Sequence, residues 1–294
     1  MRRYRLVLIF GLAAIFGPAE AGTRDRMIET APGIHIHVLD AAPRHADDAA
    51  LVLVPGWRLT AEIWREQIDH FGGTRRVIAI DPRSQGGSTK TAEGDTPEQR
   101  ARDLSALLAR LQPGRVVLVG WSQGVQDVAA YVDQFGTASL DGIVLVDSTI
   151  SPGAAAIAQD SSVAVRQLGL LSLYAEAPED YTRGMMAAII TRKLPADQMD
   201  KLVHAALQTP TAIGAAMLTA DLFGKDRSAA IAKFDRPTLV IASAASSELA
   251  AQQEMAGKLP KGRIAVVENA GHAVFIDQPA KFDALLDDFL KGLA

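Results

Sequence analysis

The segment Val116-Val117-Leu118-Val119-Gly120-Trp121-Ser122-Gln123-Gly124-Val125-Gln126 switches from one structural period to another within a few residues. Val116 to Val119 is apolar without a break, the pattern of a strand buried on both faces in a parallel sheet covered by helices. Gln123 to Phe135 then follows helical spacing. Between them stands G-x-S-x-G, residues 120–124. A strand-to-helix turn this sharp has no room for a side chain at either flank, so both flanks are glycine. The serine is left at the tip with its hydroxyl exposed and a helix N-terminus behind it, the arrangement of a nucleophile elbow. The five-residue pattern alone recurs by chance; the strand before it and the helix after it make it specific.

The same alternation extends in both directions. Further strands are expected at Ile34 to Leu39, Leu51 to Val54, Val77 to Ile80, Ile143 to Val146, Thr238 to Ile241 and Ile264 to Val267. Helices are expected at Ala61 to Phe71, Thr96 to Leu111, Leu249 to Leu259 and Gln278 to Leu290. Thr96-Pro97-Glu98-Gln99 carries a start signal, with threonine as cap and proline in the first turn. Strands alternating with helices predict an α/β fold with a mostly parallel sheet. One stretch breaks the rhythm. From Ser151 to Lys233 no strand pattern occurs, and Pro178, Gly184, Pro195 and Pro210 cut helical spacing into short pieces. Residues 151–233 are therefore expected to form a helical lid, and 22–150 with 234–294 the α/β core.

The N-terminus has a separate logic. A basic start (Arg2, Arg3, Arg5) precedes the apolar run Leu6 to Phe16, and Ala19-Glu20-Ala21 before Gly22 has the small-x-small form of a cleavage site. The run is short of the roughly 20 apolar residues a spanning helix needs, so residues 1–21 read as a signal peptide. No cysteine follows it for a lipid anchor. The protein is expected to be exported, periplasmic or secreted, and not inserted in a membrane after cleavage.

Composition narrows the functional classes. At 294 residues, 48% hydrophobic and 22% charged, the chain can bury a large core and is not a disordered protein. Its net charge of −4 gives no electrostatic footprint for nucleic acid. With no cysteine, disulfides, thiolate metal sites and a cysteine nucleophile are all excluded.

A serine nucleophile needs a base, and the chain has six histidines. His272, in Asn269-Ala270-Gly271-His272, follows the last strand, on the sheet edge where open α/β sheets place their sites. His35 and His37 alternate on an early strand and are expected to face solvent. A metal there lacks a third ligand nearby in sequence, so none is expected. His45 falls in a polar turn, His70 ends a helix and His204 lies in the lid; each reads as a surface or packing residue.

With these pieces in view, the chain resembles the α/β-hydrolase superfamily, nearest its lid-bearing esterase and non-haem chloroperoxidase-like branch. The resemblance spans about Met27 to Leu290. It rests on Val54-Pro55-Gly56-Trp57, on Asp81-Pro82-Arg83-Ser84-Gln85-Gly86-Gly87-Ser88, on the elbow at Ser122, and on Gly271-His272 followed by Gln278-Pro279. It implies an α/β-hydrolase fold, Ser122 as nucleophile, His272 as base and a loop-ordering role for Asp81. The backbone N–H groups of Trp57 and Gln123 are the expected oxyanion donors. Pro55-Gly56 replaces the more usual His-Gly and keeps the glycine.

The acid of the triad is where the sequence departs from its relatives. The family usually carries an aspartate after the strand matching Thr238 to Ile241, near Ser246 here, but Ala242-Ser243-Ala244-Ala245-Ser246-Ser247-Glu248 contains none. Asp147, ending the strand Ile143 to Val146, preserves the Ser-acid-His chain order, and some members of the fold carry their acid at this neighbouring strand end. Glu248 is the other candidate, and Asp147 is preferred because a strand end fixes direction. The expected activity is cleavage of an ester, thioester or lactone by an acyl-enzyme, without metal or organic cofactor. Ala, Leu, Ile and Met in the lid suggest an apolar acyl substrate. The alternatives are a perhydrolase or acyltransferase using the same acyl-enzyme, and a non-catalytic ligand-binding protein on this scaffold.

Overall fold

The strands that read as continuously apolar form the middle of the molecule. In the computed structural model, which describes residues 22–43 and 48–293, β3 (Ala50–Val54), β4 (Val77–Ile80) and β5 (Val116–Trp121) bury every residue. The expected signal peptide and His45 lie outside the described residues. β6 (Leu140–Val146), β7 (Thr238–Ser243) and β8 (Gly262–Val267) continue the sheet on one side. β2 (Ile34–Ala41) and β1 (Arg24–Ala31) close the other. Among the described residues the sheet has eight strands in the order β1-β2-β4-β3-β5-β6-β7-β8. β1 and β2 run antiparallel, and every pairing from β4 to β8 is parallel.

Helices cover both faces, as a parallel sheet requires. On one face α1 (Arg65–Phe71), α10 (Val274–Asp277) and α11 (Pro279–Lys291) set Ile68, Phe71, Phe275, Phe282 and Leu286 against Leu51, Val117 and Val144. On the other, α2 (Pro97–Leu111), α3 (Gln123–Phe135) and α9 (Leu249–Lys258) set Leu104, Val125, Val128 and Met255 against Val52, Leu118 and Val240. The start signal of α2 works as expected: Gln99 N–H donates to Thr96 Oγ1 at 3.2 Å, and Pro97 takes the first position.

Two local expectations change. The helix expected over 61–71 is a 3-10 turn, Ala61–Trp64, followed by α1. The strand β1 has no counterpart in the sequence reading; Arg24–Ala31 is mostly polar and belongs to the sheet by antiparallel pairing with β2 rather than by burial.

Between β6 and β7 the chain leaves the sheet and forms α4 (Ala154–Gln159), α5 (Ser162–Glu176), α6 (Pro178–Ile189), α7 (Ala196–Leu207) and α8 (Thr211–Phe223), then a 3-10 turn at Ser228–Lys233. These helices form a cap that meets the loops beyond the carboxyl ends of the strands: Trp57 Nε1 donates to Gly214 O, and Thr191 N–H to Asp277. Among the described residues no helix is long and apolar enough to cross a membrane.

Candidate active site

Five parallel strands deliver the residues that matter to one edge. At the end of β5, Ser122 holds φ 56° and ψ −119°, a left-handed conformation that a non-glycine residue keeps only when its surroundings impose it. The imposing atoms are close. A Cβ on Gly120 would lie 2.5 Å from Gly124 O, and one on Gly124 would lie 2.5 Å from Val54 O. The two glycines let α3 fold back against β5 and β3. The serine is pinned from below, its N–H donating to Val146 O at 3.1 Å.

Next along the edge, Asp147 follows β6, also at positive φ (45°). Its carboxylate is nearly enclosed and fully engaged. Oδ2 is 2.8 Å from His272 Nδ1, while Oδ1 accepts from Ser243 N–H at 2.8 Å and from Gln252 Nε2 at 3.2 Å. His272 therefore reaches across the end of β7 to its neighbour β6. Among the described residues Nε2 of His272 has no hydrogen-bond partner. The imidazole is braced behind by Trp121, whose Nε1 donates to His272 O at 2.9 Å and whose ring lies 5.3 Å from it. Glu248 points elsewhere: its Oε2 accepts from Thr149 N–H and Oγ1, both at 3.2 Å. At the position where the relatives' aspartate is expected, Ser246 Oγ accepts from Gln252.

Trp57 follows β3, and Gln123 opens α3 directly after Ser122. Gln123 N–H is one of the donors a helix start leaves without an internal partner. Both residues line a cleft of about 580 Å³ together with Ser122, Asp147 and His272. The cap supplies its apolar side through Ala156, Val163, Leu218 and Leu222, with Arg166 and Asp221 among them.

Beneath the cleft lies a buried charge cluster that the sequence did not announce. Arg100 binds Asp127 through Nε at 2.8 Å and Asp221 through Nη2 at 3.0 Å. Burial pushes Asp127 up to about 7, with Arg100 opposing and the second carboxylate adding to the rise. Asp221 is raised for the same chief reason. Arg227 beside it pairs with Glu98 at 3.0 Å. Asp221, Trp121, Ser243 and Gln252 are the site's neighbours that local sequence patterns missed, each joined to it by a contact from far along the chain.

Among the described residues the other histidines do not line this cleft. His37, expected to face solvent, is instead half-buried between two carboxylates. Its Nδ1 is 2.8 Å from Asp81 Oδ2 and its Nε2 3.0 Å from Asp25 Oδ1. The strand alternation failed here because the loop after β4 folds over β2, with Ser88 Oγ accepting from His37 N–H. Asp81 also accepts from Ala61 N–H and Gly87 N–H, at 2.6 and 2.7 Å, and so ties three segments together. His70 lies near Asp283 and Asp287, and His204 is exposed on the cap.

Comparison with known proteins agrees with this architecture. The family model described as "Alpha/beta hydrolase family" matches residues 51–285. The chain is 26% identical over 258 residues to a pimeloyl-[acyl-carrier protein] methyl ester esterase of Edwardsiella ictaluri, covering 82% of this chain and 93% of that protein. It is 27% identical over 256 residues to a non-heme chloroperoxidase of Kitasatospora aureofaciens, covering 82% and 92%. The solved structure of a thermophilic esterase from Thermogutta terrifontis superposes with a TM-score of 0.77 over 92% of this chain and 99% of that one, at 23% identity.

Proposed function

Because the chain belongs to the alpha/beta hydrolase family, we propose that it is a serine hydrolase cleaving a carboxylic ester, thioester or lactone through an acyl-enzyme on Ser122. One observation carries the proposal. His272 is fixed through Nδ1 on Asp147 and, among the described residues, keeps Nε2 unpartnered, in the same cleft as a serine held in strained backbone. That is the arrangement general-base activation of a hydroxyl needs.

Ser122 Oγ attacks the carbonyl carbon while its proton passes to His272 Nε2. The carbonyl oxygen becomes an oxyanion and meets the N–H groups of Trp57 and Gln123. Asp147 holds the imidazole tautomer and balances the imidazolium charge without taking the proton. The tetrahedral intermediate collapses, the bond to the leaving oxygen or sulfur breaks, and His272 protonates that group. Water then repeats the sequence on the acyl-enzyme, giving the carboxylic acid and free Ser122. The apolar cap residues Ala156, Val163, Leu218 and Leu222 favour an apolar acyl group against the cap. The likeness to a non-heme chloroperoxidase favours hydrogen peroxide as a second acceptor for the same acyl-enzyme, giving a peracid in place of the acid.

A fluorophosphonate tests the proposal. The expected result is one covalent adduct, mapped to Ser122 by peptide mass and lost in Ser122→Ala, together with ester turnover lost in the same variant. An unlabelled, folded wild-type protein would instead favour a non-catalytic binding role. Turnover measured with and without added peroxide separates the two acceptors.

A further inference from the structure

The cap and the oxyanion donors are joined in a way that a simple cover does not require. Helix α8 carries Gly214 and Asp221, seven residues and two turns apart and so on one face. Gly214 O accepts from the indole Nε1 of Trp57 at 2.8 Å. Asp221 Oδ2 accepts from the side-chain amide of Gln123, and its other oxygen is held by Arg100 from below. Trp57 and Gln123 are the two residues whose backbone N–H groups face the developing oxyanion in the proposed reaction. A single cap helix thus grips both.

The Trp57 side of the grip is reinforced by an unusual residue. Leu59 N–H donates to Gly56 O at 3.1 Å, closing a four-residue turn whose third position is Arg58 at φ 58°. That position favours glycine. Here it is an arginine, 0% exposed, with its guanidinium 4.2 Å from the ring centroids of both Trp57 and Tyr174. Nη1 donates to Thr182 Oγ1 at 2.9 Å, Nε is buried without a partner, and no carboxylate pairs with it among the described residues. A desolvated cation with no counter-ion is costly; aromatic faces on both sides offset part of that cost. Trp57 belongs to the core, Tyr174 to α5 and Thr182 to α6, so the arginine locks the turn under the cap. The packing is close: a Cβ on Gly214 would lie 2.6 Å from Tyr174 Oη and 2.8 Å from Arg58 Cδ.

We infer that α8, with Arg58 as its anchor, is the positioning element of the oxyanion hole, so that the hole has its working geometry only when the cap is seated. The inference rests on the acyl-enzyme proposal above and adds Asp221, Gly214 and Arg58 as positioning residues. It predicts that loosening the grip weakens transition-state binding more than substrate binding.

The test uses Asp221→Leu, Gly214→Ala and Arg58→Met in the full protein, with Arg183→Ala on the exposed cap surface as control. Steady-state ester kinetics, phenylboronic acid inhibition and melting temperature are measured for each. Each of the three variants is expected to lower kcat about 10- to 100-fold with KM within about threefold. Boronate affinity should fall in parallel, because its tetrahedral adduct places an oxygen in the hole; Arg183→Ala should change neither. A cap that merely covers the site would raise KM and leave boronate inhibition unchanged, and that outcome overturns the inference. If Arg58→Met does not fold, Arg58→Lys keeps the charge and loses the flat group between the rings, and the same outcomes apply. A wild-type protein that no fluorophosphonate labels at Ser122 overturns the underlying proposal instead.

Discussion

Asp81 and His37 on one side of the sheet make the same contact as Asp147 and His272 on the other. Each aspartate directly follows a parallel strand, β4 or β6, and each lies 2.8 Å from a histidine Nδ1. Each secures its second oxygen with a backbone N–H, from Ala61 in one pair and Ser243 in the other. The difference lies at the outer nitrogen. His37 sits within a strand, its side chain 17% exposed, and its Nε2 is taken up by Asp25. His272 sits on a loop at 31% exposure with Nε2 unpartnered among the described residues, in the cleft that holds Ser122. An Asp–His pair is therefore not in itself a site. In the first pair two carboxylates bracket the imidazole and tie β1, β2 and the β4 loop together. In the second, one carboxylate holds an imidazole that lines the cleft.

The largest separation between the pairs should appear in turnover. His272→Ala is expected to cost roughly 10⁴–10⁶ in kcat, and Ser122→Ala combined with it should cost little more, because residues acting as a unit do not add. His37→Ala should leave kcat within about threefold, since nothing in the proposed reaction passes through it. Ester kinetics on the three variants decide the matter. A comparable loss from His37→Ala in a folded protein would dissolve the distinction.

The acid sharpens the comparison by a smaller factor. Asp147→Asn is expected to lower kcat by roughly 10²–10⁴, through the wrong imidazole tautomer and the lost charge opposite the imidazolium. Glu248→Gln should change kcat only a few-fold, since its carboxylate is engaged with Thr149. The reverse ranking would move the acid to the β7 loop and leave Asp147 with a role like that of Asp81.

Much of this comparison was written locally, and some of it could not be. The elbow is legible because steric exclusion at residues 120 and 124 admits only glycine, so sequence and geometry state one constraint. The central strands are legible because burial on both faces leaves only apolar side chains. β1 is not, since an edge strand is held by backbone pairing that polar residues satisfy equally well. Strand alternation put His37 in solvent, but alternation knows nothing of the loop that folds over it: a Cβ on Gly87 would lie 3.2 Å from His37 Cγ. Trp121 occupies the free position of G-x-S-x-G, and only a carbonyl 151 residues away gives its indole a purpose. Gly214 and Asp221 belong to a cap whose helices carry no motif. Their meaning arises from tertiary contact alone.

The smallest expected effect concerns protonation of the first pair. His37 is held above its ordinary value of 6.5, chiefly by its hydrogen bond to Asp81, with Asp25 adding and burial opposing. The folded state therefore holds this proton more tightly than the unfolded chain does. The stability this adds is fully present below about pH 6.5 and is lost as pH rises through the higher folded value. The melting temperature of wild type should thus fall by a few degrees across that window relative to His37→Gln, which has no proton to lose. Asp25→Asn removes one of the two carboxylates and should shrink the fall without abolishing it. Thermal unfolding of the three proteins between about pH 6 and 9 tests this, with wild type and His37→Gln expected to converge in slope at the alkaline end. Parallel curves throughout would mean that folding leaves the proton affinity of His37 unchanged, and the two pairs would then differ in their surroundings alone.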